Sequence, residues 1–344
     1  MSLDFIKLTN KHNLQACFIS YGARWTNMLV PDKNGKYNDV ILGFDTLSGY
    51  EEAGEMYHGA TVGRVCGRIS NSSFRLNGKI YNLSSNDVYG KPKHNHLHGG
   101  MSGFHVKRWF PIAFKTKEHE EAVSFYYTSK DGEEGYPGNL LVKVTYILTD
   151  SDILRMIYEA KSDQDTIVNM TNHAFFNLSG EPCSSILEHK LQLNASAIIE
   201  CDRELIPTGS LLSSDNSPVF FEQESFIKDA ICQSHSQVIK DIGFSIAYML
   251  KERNVLLHKA ACLSDSKSGR SLEIYTTQPS IQVYTAYFMD GKDIGKNGIP
   301  YYSGAGVALE PQGFPDAVHH PNFPSIVLKA GETYRVVSEY RFKY

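Results

Sequence analysis

Three segments far apart in the chain carry residues suited to moving protons. The first, Thr171-Asn172-His173-Ala174-Phe175-Phe176-Asn177-Leu178-Ser179-Gly180, sets a histidine among amides and aromatic rings, at the end of the extended run Thr166-Ile167-Val168-Asn169-Met170-Thr171. The second, Asn95-His96-Leu97-His98-Gly99-Gly100, adds histidines, and the third, Leu309-Glu310-Pro311-Gln312-Gly313-Phe314-Pro315-Asp316, a carboxylate. Glu310 follows Ala305-Gly306-Val307-Ala308-Leu309, small and apolar residues that read as a buried strand. A carboxylate leaving a buried strand needs partners to offset its desolvation. Read from the residues alone, Glu310 fits either an ion pair or a general base, and His173 either a hydrogen-bonded core position or a general acid. Held together, a carboxylate and an imidazolium can take a proton from one oxygen while giving one to another.

The elements that must position these residues read as strands. Val142, Val144, Tyr146 and Leu148 share one face of a period-2 pattern, with Leu141, Lys143, Thr145 and Ile147 on the other. Leu272-Glu273-Ile274-Tyr275-Thr276-Thr277 alternates in the same way, as does the stretch from Thr333 to Phe342. Asp131-Gly132, Asn77-Gly78, Asp290-Gly291, Asn297-Gly298 and Ala330-Gly331-Glu332 mark tight connections, several of them hairpins. Only short helices are expected: Thr46 to Glu52, Pro218 to Phe226 and Lys228 to His235. With no linker-like composition break, low-complexity tract or internal repeat, residues 1–344 read as a single domain of packed antiparallel sheets, all-β in class.

Composition narrows the partners. The 344 residues are 42% hydrophobic and 21% charged, enough to bury a core without disorder. A formal net charge of −4 and a pI near 6.4 offer no general attraction to nucleic acid or anionic lipid, so a neutral small molecule is the expected partner. The first ten residues lack the basic start and apolar core of a signal peptide, and no segment reaches membrane-spanning length, so a cytoplasmic place is expected. Cys17, Cys66, Cys183, Cys201, Cys232 and Cys262 are dispersed and read as reduced thiols. His94, His96 and His98 would share one face of a strand, but same-face neighbours stand roughly 7 Å apart and splay. We therefore expect no metal there.

The three chemical segments, with Gly59-Ala60-Thr61-Val62-Gly63-Arg64 before them and Asn322-Phe323-Pro324-Ser325 after, resemble the aldose 1-epimerases, or galactose mutarotases, over most of the chain. The resemblance implies a large β-sandwich with a sugar cleft on one face. It implies an isomerase that interconverts the α and β anomers of free hexoses such as galactose and glucose, with no metal or organic cofactor, as a monomer or weak homodimer. Glu310 matches the family's general base and His173 its general acid. His98 matches the second active-site histidine, leaving His94 and His96 at the surface. Arg68 and Gln282 match sugar-contacting positions, and Asn172 is expected to line the polar cleft. Phe176 and Phe314 are expected to offer ring faces to the pyranose. Arg64 and Arg75 fit exposed surface arginines.

The chain departs from the family pattern at Gly67, where an asparagine is usual, and at Ser245-Ile246, in place of an Asp-His pair. A sugar hydroxyl left without its acceptor costs about 1–3 kcal/mol. These departures keep open a sugar-binding protein with little turnover. A mutarotase of a phosphorylated or modified sugar would draw its cations from Arg64, Arg68 and Lys91. A glycoside hydrolase needs two carboxylates at the scissile bond, and the sequence supplies one convincing candidate, Glu310.

Overall fold

The computed structural model describes residues 5–89, 94–181, 184–213, 218–252 and 256–344. Lys91 and Cys183 lie outside the described residues. The period-2 runs are strands, and two antiparallel sheets dominate. One has nine strands in the spatial order Phe110–Lys115, Glu121–Ser129, Leu140–Leu148, Ile153–Ser162, Thr333–Lys343, Ser271–Thr276, His258–Ser264, Lys190–Leu193 and Ser225–Phe226. The other has seven: Phe175–Phe176, Val307–Gln312, Ser280–Tyr284, Gly243–Leu250, Ala195–Cys201 and Pro207–Ser213 in order, with Val238–Ile239 paired to Gly243–Leu250. A four-stranded sheet, from Ile6–Thr9 to Tyr37–Asp39, adds its own face.

Residues from all three sheets meet in one apolar core. Phe18 and Trp25 come from the four-stranded sheet, Val144, Met156 and Tyr340 from the nine-stranded sheet, and Ile246 and Leu309 from the seven-stranded sheet. Trp25 sits edge-on to Phe176 and Tyr340, with ring centres 5.6 and 5.5 Å apart. These are the packed antiparallel sheets expected from alternation and the large β-sandwich that the resemblance implies, because each sheet can hide its apolar face only against another.

Local expectations are met with adjustments. Asn77-Gly78 closes the hairpin of Ser73–Leu76 and Lys79–Asn82, both residues at positive φ (50° and 79°), as a two-residue turn requires. Asp290-Gly291 instead opens the strand Asp290–Ile294, whose register with Pro300–Tyr302 is irregular. The first helix is Leu47–Glu52, capped by the Thr46 hydroxyl, which accepts from the Gly49 N–H. The helix expected from Lys228 to His235 is shorter, Ile227–Ile231, and Ser225–Phe226 is an edge strand.

Buried cations tie the connections to the sheets. The Arg64 guanidinium donates to the Ser129 hydroxyl and to the carbonyls of Ser129, Lys130, Pro137 and Gly138. Arg64 is therefore no surface arginine: it is 2% exposed. Arg24 donates to the carbonyls of Met56, His58 and His105. The Lys296 ammonium bonds the carbonyls of Thr26 and Ile41 and the Asp39 carboxylate. Each cation gathers several backbone oxygens at once, and so satisfies acceptors that are buried with it.

Candidate active site

Strand register builds one wall of the site. Gln282 pairs with Glu310 on one side and Ala247 on the other, and Tyr284 pairs with Ser245. Side chains alternate across a sheet, so Ser245, Ala247, Gln282, Tyr284, Glu310 and Gln312 emerge on one face, where all six line a cleft of about 680 Å³ open to solvent. Their neighbours Phe244, Ile246, Ile281, Val283 and Leu309 enter the core on the opposite face.

His173 closes the floor. Its N–H donates to the Ala60 carbonyl and its carbonyl accepts from Gly59, both at 2.9 Å, so the backbone fixes where the imidazole points. Nε2 stands 3.5 Å from Glu310 Oε1, and both residues are nearly inaccessible. His173 Nδ1 and Glu310 Oε2 have no hydrogen-bond partner among the described residues. Burial pushes the Glu310 carboxyl well above its usual range, with the charge of Glu55 adding to the push, and pulls the His173 imidazole down to about 3. Their proximity opposes both shifts, because each charged form favours the other. Treated as a unit, the pair holds one proton on either partner, and both arrangements are net neutral.

The rim supplies donors. His98 Nδ1 accepts the Gly67 N–H at 3.2 Å, which leaves the proton of the neutral ring on Nε2; burial holds the imidazole well below its usual range. The turn that seats His98 needs Gly99: its φ is +84°, and a Cβ there would stand 1.8 Å from the Gly63 carbonyl oxygen. Arg68 is locked by the Asp87 carboxylate, with Nε at 2.6 Å from Oδ2. Gln282 Nε2 donates to the Ser245 hydroxyl at 3.0 Å. The Tyr57 ring packs against His98, His105 and His173 at centre distances of 4.5, 4.7 and 5.6 Å.

Comparison with known proteins shows the family. The family model described as aldose 1-epimerase matches residues 4–341. The chain belongs to the aldose 1-epimerase family. Galactose mutarotase of Mus musculus is 39% identical over 331 residues, which cover 96% of this chain and 91% of that protein. Aldose 1-epimerase of Haemophilus influenzae is 36% identical, covering 99% and 96%. Among solved structures, an aldose epimerase homologue from C. elegans superposes with a TM-score of 0.89 at 30% identity, over 100% of this chain and 99% of that one.

Against this aldose 1-epimerase frame, six of the nine expected site residues line the cleft: Glu310, His173, His98, Arg68, Gln282 and Ser245. Three do not. Asn172 donates to the Gly59 carbonyl at 2.8 Å and to the Tyr146 hydroxyl, inside the scaffold, and Phe176 packs on Trp25 and Tyr340. Alternation explains both: neighbours of a cleft-facing His173 face away, whereas Phe175, two residues on, lies 4.9 Å ring to ring from His173. Phe314 also belongs to an apolar cluster, with Phe323.

The three imidazoles do not share a face either. Only His96–Leu97 is strand, and His98 has a φ of +51°. His94 is exposed as expected, but His96 is fully buried, with Nε2 2.7 Å from the Tyr136 hydroxyl. Of the family departures, Ile246 has no access to the cleft and Ser245 does. Gly67 has a φ of +72°, and a Cβ there would approach Pro315 Cβ to 3.1 Å. Sequence reasoning missed Glu55, Tyr57, Tyr89, Tyr284 and Phe288, which line the cleft, and Asp87, which holds Arg68. The loop residues among them carry no local motif; Tyr284, two residues from Gln282 on one strand, was legible by alternation.

Proposed function

We propose that the chain interconverts the α and β anomers of free hexoses, with Glu310 as general base and His173 as general acid. The observation that carries this is the 3.5 Å approach of Glu310 Oε1 to His173 Nε2 on the floor of the cleft. The hydroxyl oxygen to be deprotonated and the ring oxygen to be protonated are both bonded to C1, so base and acid must stand this close together. Glu310 removes the proton from the C1 hydroxyl, and the O–H electron pair becomes the second bond of a C1 carbonyl. The bond from C1 to the ring oxygen breaks, and that oxygen keeps the electrons and takes a proton from His173. Rotation about C1–C2 exposes the other carbonyl face, and closure runs the same transfers backwards.

Each half-reaction moves the shared proton from imidazole to carboxyl or back. The buried pair never acquires a net charge during the cycle, which suits a site where an isolated charge is costly. Desolvation favours the arrangement with carboxylic acid and neutral imidazole, the one that accompanies the open-chain sugar. His98, through Nε2–H, and Arg68 donate to sugar hydroxyls. Galactose and glucose are the substrates to try first.

The test is the rate at which freshly dissolved α-galactose and α-glucose approach anomeric equilibrium, followed by polarimetry. Acceleration by the wild type that Glu310→Gln lacks is the expected result. A Glu310→Gln rate equal to wild type removes the base assignment, and binding without acceleration makes the chain a sugar binder.

A further inference from the structure

Glu55 takes no part in the chemistry above, yet its side chain lines the same cleft and is 7% exposed. Its place is fixed by backbone contacts on both sides. The N–H groups of Gly54 and Glu55 donate to the Asp293 carboxylate at 2.7 and 2.9 Å. Arg24 then holds the carbonyls of Met56 and His58 at 2.8 and 2.7 Å. One carboxyl oxygen, Oε2, accepts from the Tyr89 hydroxyl at 3.4 Å, and the Tyr57 backbone N–H lies close to the carboxyl; Oε1 is buried and makes no well-formed hydrogen bond among the described residues. A buried oxygen of this kind is costly unless something completes its bonding.

The groups beside it in the cleft include donors. Arg68 and the Nε2–H of His98 are donors, and the Ser245 oxygen already accepts from Gln282. Glu310 is committed to the anomeric hydroxyl. A hexose brings several further O–H groups, and Glu55 Oε1 is an acceptor held in place for one of them. Resting on the mutarotase reading, we propose that Glu55, steadied by Tyr89, accepts a hydrogen bond from one non-anomeric hydroxyl of the sugar and so sets which hexoses the cleft retains.

Equilibrium binding, which does not depend on turnover, tests this. Calorimetric titrations with galactose and its 2-, 3-, 4- and 6-deoxy derivatives are run on the wild type and on Glu55→Ala. Wild type is expected to bind one deoxy sugar about tenfold or more weaker than galactose through loss of this bond, and Glu55→Ala to bind that sugar and galactose alike. If Glu55→Ala fails to fold, as thermal melting would show, Glu55→Gln replaces it and should narrow the same gap. Unchanged galactose affinity, or a deoxy profile parallel to that of the wild type, overturns the proposal. Polarimetry on the same wild-type sample separates the two readings. Anomer exchange with a parallel deoxy profile removes only the Glu55 role, and a selective profile without exchange removes only the mutarotase. No binding of any hexose removes both.

Discussion

Acid should unfold this protein steeply, because it buries an unusual number of neutral imidazoles. Burial lowers His96 and His189 to about 4 and His105 and His173 to about 3, and holds His58 and His98 well below their usual value. A histidine depressed in the folded state takes up its proton on unfolding, so its contribution to stability is lost as pH falls below about 6.5. Glu55, raised to about 7, and Glu310, also raised, act in the opposite sense, holding protons that the unfolded chain has released above about 4.5. Six uptakes against two releases leave about four protons bound on unfolding near pH 5.5, a slope of about 5 kcal/mol per pH unit.

A fold worth about 10 kcal/mol at pH 7 then unfolds near pH 4.5 to 5. Urea titrations at pH 7.0, 6.0 and 5.5, read from the fluorescence of the buried Trp25 and Trp109, give the slope directly. His58 provides the control. It lies among Phe44, Phe175 and Tyr301 with both ring nitrogens unpartnered among the described residues, so His58→Phe should lower the slope by about one proton's worth, 1.4 kcal/mol per pH unit. A free energy that stays level from pH 7 to 5.5 would refute the reasoning.

Three further outcomes are expected. His173→Asn should lower kcat by roughly 10²–10⁴ while sugar affinity changes little, as polarimetry and calorimetry would show; a loss of only a few-fold would move the acid role to His98. Ser245→Asp adds a carboxylate that can keep the Gln282 bond and accept a sugar hydroxyl, so galactose should bind tighter by about 1–3 kcal/mol, and an unchanged Kd would show that the cleft meets that hydroxyl elsewhere. Arg64→Met strands the carbonyls of Ser129, Lys130, Pro137 and Gly138, which should cost at least about 3 kcal/mol in urea unfolding; a loss under about 1 kcal/mol would show that water replaces the guanidinium.

The sequence disclosed most where a local period or motif governs the outcome. Alternation in Leu140–Leu148 puts Val142, Val144, Tyr146 and Leu148 on one face, and all four enter the core, while the segments around His173, His98 and Glu310 converge as the family resemblance implied. It disclosed least where a polar side chain is buried by partners distant in the chain. Arg64 looks like a surface residue until the turn 129–138, some 65–74 positions away, brings its carbonyls to it. His96 looks exposed until Tyr136 meets it, and Glu55 has no signature because its partners are distant in the chain: Asp293 holds its N–H, Tyr89 its carboxyl, and Arg24 the carbonyls of Met56 and His58. Asn172 and Phe176 were misplaced for a simpler reason: alternation about His173 was legible and pointed to Phe175.

The register of Gln282 with Glu310 and of Ser245 with Tyr284 restricts how the gene can change length. Deleting or inserting one codon inside either strand reverses parity downstream, sending the carboxylate into hydrocarbon and an apolar chain into the cleft. Such an allele gains no intermediate activity on which selection could act. Variation in length should therefore collect in hairpin tips such as Asn77-Gly78, while the strands of the cleft wall diverge by substitution alone.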